Sequence, residues 1–138
     1  MVRVVVAAAR PVNGPTLSGS LTPMVDRYTI LRTKLPTSYV EYVESCDGWE
    51  GDLGDALGYV VIWSPGTIQE RWDDYEMAQY LSDRWFPFGS DGGGEMLCFD
   101  LSSGSDRIFR IPYVGMSDEE ALAWRPFAEV VAAIWTAG

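Results

Sequence analysis

Residues 89–101 read GSDGGGEMLCFDL, three consecutive glycines between two acids with an alternating run behind them. The stretch is either a ligand-cradling loop or a turn between two strands. A phosphate-binding Walker loop needs Gly-x-x-x-x-Gly-Lys-Ser/Thr before a helix. A dinucleotide fingerprint must also open a helix. Here Glu95 follows the glycines, no lysine is present, and the next residues alternate as a strand. Leu97, Phe99 and Leu101 point one way, Met96, Cys98 and Asp100 the other. Two carboxylates would also repel phosphate. An EF-hand fails for want of an Asp-x-Asp-x-Asp-Gly pattern with a distant Glu. The reading that remains is a strand connection. Gly89, Gly92, Gly93 and Gly94 supply the backbone freedom, and Asp91 bonds forward to the loop backbone. Opportunistic cation binding by Asp91 and Glu95 is the alternative.

Strand signals surround this turn. Ala56–Trp63 is rich in β-branched and aromatic residues. Trp85–Phe88 is a further strand, which Pro87 places at an edge or near a bulge. Arg107–Pro112 is another, with Ile108 and Phe109 on opposite sides. Helix signals flank the strands. In residues 35–51 Pro36 suits a first turn, and Tyr39, Val43 and Cys46 share a face. Gly48 is the expected left-handed stop. A weaker helical stretch covers 24–33. Thr67–Glu70 and Ser117–Glu120 match capping boxes. The first should open a helix running to about Leu81, the second the last helix, whose stripe is Phe127, Val130, Val131 and Ile134. The order predicts an α+β fold, a mainly antiparallel sheet with helices packed on one side. Residues 1–23 read as an extension, with a short strand at Val2–Val6 and then a loop. Residues 24–138 form a single domain.

Composition narrows function. The chain has 138 residues, 47% hydrophobic and 22% charged, as a globular domain does. It contains no histidine, which removes Ser-His-Asp and Cys-His catalysis and histidine metal sites. Cys46 and Cys98 lie 52 positions apart and read as two buried free thiols. The apolar run Val4–Ala9 is shorter than a signal-peptide core, and no run reaches a membrane span. The expected compartment is the cytoplasm, with secretion as the alternative. No cofactor or metal is expected.

Net charge is −10 and uneven. Residues 41–100 hold fourteen acids and two bases, the rest six acids and eight bases. Nucleic acid and anionic membrane are poor partners for such a surface, and a basic protein is a good one. The plainer explanation is solubility. The candidate partner-binding residues are Trp49, Glu50, Asp52 and Asp55, with Asp73, Asp74 and Glu76. Trp49 either anchors a contact or packs on the sheet. Asp73/Asp74, Glu119/Glu120 and Asp52/Asp55 are possible hydrolytic pairs. Adjacent helical acids diverge by about 100°, so a solvated face fits the doublets better.

Taken together, two segments resemble the SUKH superfamily. One is Leu35-Pro36-x-x-Tyr39 followed by Gly48-Trp49-x-Gly51, with Asp47 where the family usually has Asn. The other is Phe88-Gly89-Ser90-Asp91-Gly92-Gly93-Gly94-Glu95 leading to Phe99-Asp100. Phe127-x-x-Val130 is similar to the family's closing helix pattern. The resemblance covers about Met24 to the end. It implies an α+β fold, no enzymatic activity and no transferable active site. Many bacterial members neutralise toxins, often nucleases, by direct binding, and the toxin-binding surface varies among them. The resemblance therefore implies an immunity protein for a basic toxin domain. The alternatives are a regulatory scaffold domain like the fungal cell-wall-synthesis regulator and a carboxylate-based hydrolase.

Overall fold

The computed structural model describes residues 26–137. The sequence-based strand at Val2–Val6, and the extension that contains it, lie outside them. Six strands form one sheet in the order of the chain: β1 (Trp49–Asp52), β2 (Tyr59–Ile62), β3 (Trp85–Ser90), β4 (Glu95–Asp100), β5 (Arg107–Pro112) and β6 (Leu122–Pro126). All neighbours are antiparallel. The helices are α1 (Arg27–Leu31), α2 (Thr37–Cys46), α3 (Ile68–Asp74) and α4 (Phe127–Ala137). The expected α+β class and antiparallel sheet hold, but helices pack on both faces of the sheet rather than on one. Among the described residues no helix is long and apolar enough to cross a membrane.

The register sorts the side chains. Phe86 stands opposite Phe99, and Phe99 opposite Ile108, so these share a face with Leu97. Tyr39 of α2 reaches this face. Its ring centre lies 6.1 Å from Phe86, 5.3 Å from Phe88, 5.1 Å from Phe99, 5.5 Å from Phe127 and 6.2 Å from Tyr28. Most of these pairs meet edge to face, the arrangement the ring quadrupole favours. Phe127, Val130 and Ile134 of α4 are buried along the expected stripe, with Val131 half-buried. α2 and α4 thus close one face of the sheet.

The other face holds Met96, Cys98 and Ile111, all fully buried. α3 covers it: the Arg71 guanidinium lies 5.0 Å from the Trp63 ring centre, and Tyr75 packs on Tyr113 at 4.8 Å. Both cysteines are free; Cys98 is fully buried, where desolvation pushes its thiol up, and Cys46 is half-buried. α1 joins the layers: Arg27 stacks over Trp72 at 3.6 Å and donates to the Trp85 carbonyl at 2.8 Å.

Several local expectations need correction. Two edge strands escaped the sequence pattern, β1 inside an expected loop and β6 inside an expected helix. Ser117 caps nothing; a single 3-10 turn, Asp118–Glu120, follows it and leads into β6. α4 begins at Phe127 and is capped from far away: Asp106 accepts the Phe127 N–H on its carbonyl at 2.7 Å and the Ala128 N–H on its carboxylate at 3.0 Å. Thr67 also forms no capping box, because its hydroxyl donates back to the Ser64 carbonyl. α3 stops at Asp74, and Glu76 turns left-handed (φ 51°), which redirects Met77 into the core. For Pro87 the bulge alternative holds and the edge alternative does not: it lies on an interior strand whose ladder is relieved by the bulge between Pro87 and Gly89. α2 ends on Asp47 (φ 67°), not Gly48. Asp and Asn both tolerate positive φ, so Asp47 fits where the resembling family has Asn. Gly48 is needed for space, since a Cβ there would lie 2.6 Å from the Ile62 carbonyl oxygen.

The Tyr39 hydroxyl is buried and has no hydrogen-bond partner among the described residues. A buried unpaired hydroxyl destabilises, whereas its ring fills the core. Tyr39→Phe should therefore leave stability unchanged or raise it by about 1 kcal/mol. Tyr39→Ala should lower it by about 3–5 kcal/mol. Urea unfolding midpoints of the two variants check this.

Candidate functional site

The glycine turn joins β3 to β4. Asp91 organises it: one carboxylate oxygen accepts the N–H of Gly93 at 2.8 Å and of Glu95 at 3.2 Å. The other accepts Arg110 Nη2 at 2.8 Å. Arg110 Nε also lies 2.8 Å from Glu95, an ion pair not aligned as a hydrogen bond. Both carboxylates that framed the cation alternative thus face Arg110, the Gly93 and Glu95 N–H groups face Asp91, and the Gly92 N–H donates to the Ser90 hydroxyl. Partial burial opposes ionisation of Asp91, but the Gly93 and Glu95 N–H groups and Arg110 outweigh it, so its pKa lies below the usual value. The arrangement is a closed turn.

Two of its glycines are required. At Gly89 a Cβ would overlap the Val61 carbonyl as β2 passes. Gly92 has φ +79°, and a Cβ there would overlap the Tyr59 ring. Gly93 and Gly94 have room. The absence of side chains at the turn leaves a flat backbone on which Tyr59 lies.

That contact leads to the sequence-based partner residues. Glu50 stands opposite Val61 and Asp52 opposite Tyr59, so all four share the sheet face that α3 covers. The Tyr59 hydroxyl donates to Glu50, and this bond raises the pKa of the phenol. Glu50 and Asp52 are exposed. Asp55 lies in the β1–β2 turn, also exposed. Asp73 and Asp74 end α3, the helix that covers this face, and Glu76 follows; all three are exposed. No hydrogen bond or ion pair joins the α3 acids to the β1 acids among the described residues. Trp49 goes elsewhere. It pairs with Ile62, turns to the α2 and α4 face, and rests half-buried over Gly51.

The sequence pattern missed what lies between the two acid groups. Gly94 accepts the Tyr113 N–H at 2.9 Å, and Tyr113 packs on Tyr75. Tyr59 and Tyr75 are 42% and 45% exposed, and Val114 beside Tyr113 is 91% exposed, so apolar surface flanks the turn on both sides. Burial pushes Tyr113 up to about 12, so it stays a neutral hydroxyl. The signal for Tyr59 was available: Tyr59, Val61 and Trp63 alternate toward one face. Tyr75 and Tyr113 are 38 positions apart and meet only in the fold. The result is a rim of tyrosines and carboxylates, Glu50 and Tyr59 on one side of the turn, Tyr113, Tyr75 and Glu76 on the other.

Two clefts lie away from this rim. One, of about 500 Å³, is lined by Arg27, Ile30, Lys34, Asp83, Arg84 and Leu101 among others. A groove of about 310 Å³ runs between α2 and α4, beside Glu41, Tyr42, Cys46 and Trp135. Each contains a single acid, so neither assembles the carboxylate pair that a hydrolase needs. Among the described residues no group of three or more Cys, Asp or Glu could hold a metal ion.

The model of the SMI1 / KNR4 family (SUKH-1) matches residues 29–133, from α1 into α4. A search of curated proteins found no match.

Two outcomes follow from the turn. Gly92→Ala should cost about 1–3 kcal/mol, from positive φ and the Tyr59 ring, while Gly94→Ala should cost much less. Asp91, with Asp100 and Glu44, has a folded pKa below the ordinary carboxylate value; Glu44 is drawn to about 2 by Arg32 and Tyr28. Groups of this kind stabilise fully above the unfolded pKa near ~4 and lose the contribution as pH falls through the folded value. Urea midpoints should be flat above about pH 5 and fall below about pH 4, and Asp91→Asn should remove part of that slope.

Proposed function

The chain belongs to the SMI1 / KNR4 family (SUKH-1), and from that premise we propose that it is a non-catalytic protein-binding domain acting in the cytoplasm as an immunity protein. Its partner is a basic toxin domain, which it blocks by direct contact. The observation that carries the reading is the convergence of exposed acids and exposed tyrosines on one side of the sheet. Glu50, Asp52, Asp73, Asp74 and Glu76 give that side a negative field, which steers a cationic partner and raises the association rate. Tyr59 and Tyr75, the latter backed by half-buried Tyr113, then supply rigid contact area at little entropic cost, as aromatic anchors do at interfaces. A toxin that cleaves nucleic acid needs a basic catalytic face, and a carboxylate surface seated there excludes the substrate. The absence of histidine and of a carboxylate pair in either cleft fits binding better than catalysis.

Co-expression tests this. The neighbouring gene is the candidate source of the toxin domain, and cells producing that domain should grow when the full chain is present. Glu50→Lys, Asp52→Lys, Asp73→Lys and Asp74→Lys combined should abolish rescue and slow association about tenfold or more at low salt. Normal rescue by that variant would overturn the face assignment. No rescue by the unaltered chain, with stable binding to another cellular protein, would favour a regulatory scaffold instead.

A further inference from the structure

β1 is the outer strand of the sheet, and its free side has a definite pattern of polar groups. The Leu53 N–H donates to the Gly58 carbonyl at 2.8 Å. In an antiparallel ladder, pairs that exchange hydrogen bonds alternate with pairs that do not. The register then makes Gly51/Val60 and Trp49/Ile62 bonded pairs, and Asp52/Tyr59 and Glu50/Val61 non-bonded ones. The N–H and C=O of Glu50 and Asp52 therefore point away from β2, to the free edge. Among the described residues no strand pairs there.

Exposed edges invite another strand, and natural sheets often guard them with lysine or proline. β6, the opposite edge, carries Arg125 and Pro126 and no acid. β1 carries Glu50 and Asp52, so the two residues that offer main-chain groups also carry exposed carboxylates. Between them Gly51 adds no bulk, and the Trp49 ring offers an apolar platform on the other face.

We propose that β1 captures an extended segment of the basic partner as a seventh strand, antiparallel to β1. This rests on the reading of the protein as a binder of a basic partner, and adds how and what it recognises. A strand laid against β1 places the residues opposite Glu50 and Asp52 two positions apart and on the acidic face. Lysine or arginine at those positions meets the carboxylates at cross-strand distance. The residue between them turns to the Trp49 side and is apolar. The recognised pattern is basic–apolar–basic, held by main-chain bonds and read by alternate side chains.

The test uses the full chain and the capped peptide Lys-Val-Lys-Val-Lys-Val-Lys, with NMR amide exchange as readout. Saturating peptide should slow exchange at Glu50 and Asp52 by about tenfold or more. In the expected pairing the lysine N–H groups bond to the edge. A peptide N-methylated at its lysines should bind about tenfold more weakly, and one N-methylated at its valines about as well as the parent. Equal binding by both methylated peptides, with unchanged exchange at Glu50 and Asp52, would overturn strand capture and leave the basic-partner reading standing. No peptide binding would overturn strand capture too, while growth rescue decides the partner reading separately. Slow exchange at those amides in the free chain would mean that the edge is already filled. Loss of that protection in an Arg3→Glu, Arg10→Glu variant would assign it to the chain's own segment, and loss on dilution to a second copy; either overturns the proposal.

Discussion

Burial of the Tyr39 ring is the constraint on which the rest of this structure depends. One side chain from α2 touches two strands, α1 and α4 at once. Its position fixes the distance between the helical layer and the sheet. Phe88 and Phe99 stack at 4.3 Å beneath it, and their registry depends on the bulge between Pro87 and Gly89. The bulge in turn depends on Gly89, because β2 passes too close for any side chain there. An apolar contact, a ladder irregularity and a glycine are thus a single unit. The hydroxyl of Tyr39 contributes nothing to it.

The opposite end of the sheet follows from the same registry. β3 and β4 must be joined by a turn that clears Tyr59 and holds its own backbone. Asp91 supplies the hydrogen bonds and Arg110 the countercharge. The tip of the turn carries only glycines, so the neighbouring tyrosines meet solvent beside exposed carboxylates. A flat, acidic, aromatic rim arises as a consequence of strand geometry. That is the surface on which the proposed partner would land.

Much of this was legible in the sequence because its causes are local. The turn reading followed from Asp91, the glycines and the alternation of Met96 to Leu101, all within a dozen residues. The stripe of α4 and the facing of Ile108 and Phe109 were equally local. The larger failures had distant causes. Asp106 caps α4 from 21 positions before Phe127, so the nearby Ser117 box misled. β1 and β6 are short edge strands, WEGD and LAWRP, with weak alternation, and only pairing with β2 and β5 makes them strands. The acids of the candidate face were legible by type. The direction of Trp49 was not, because ladder register sets it. Tyr75 and Tyr113 become partners only when α3 settles on the sheet.

Hydroxyl-radical footprinting of tyrosine and tryptophan, in the free chain and in complex with the proposed toxin partner, tests the central claim most directly. The account predicts that Tyr59 and Tyr75 lose reactivity in the complex while Tyr80, which is 53% exposed and belongs to neither side of the rim, keeps it. Unchanged labelling of Tyr59 and Tyr75, with protection of Trp135 or of the helix groove instead, would contradict it.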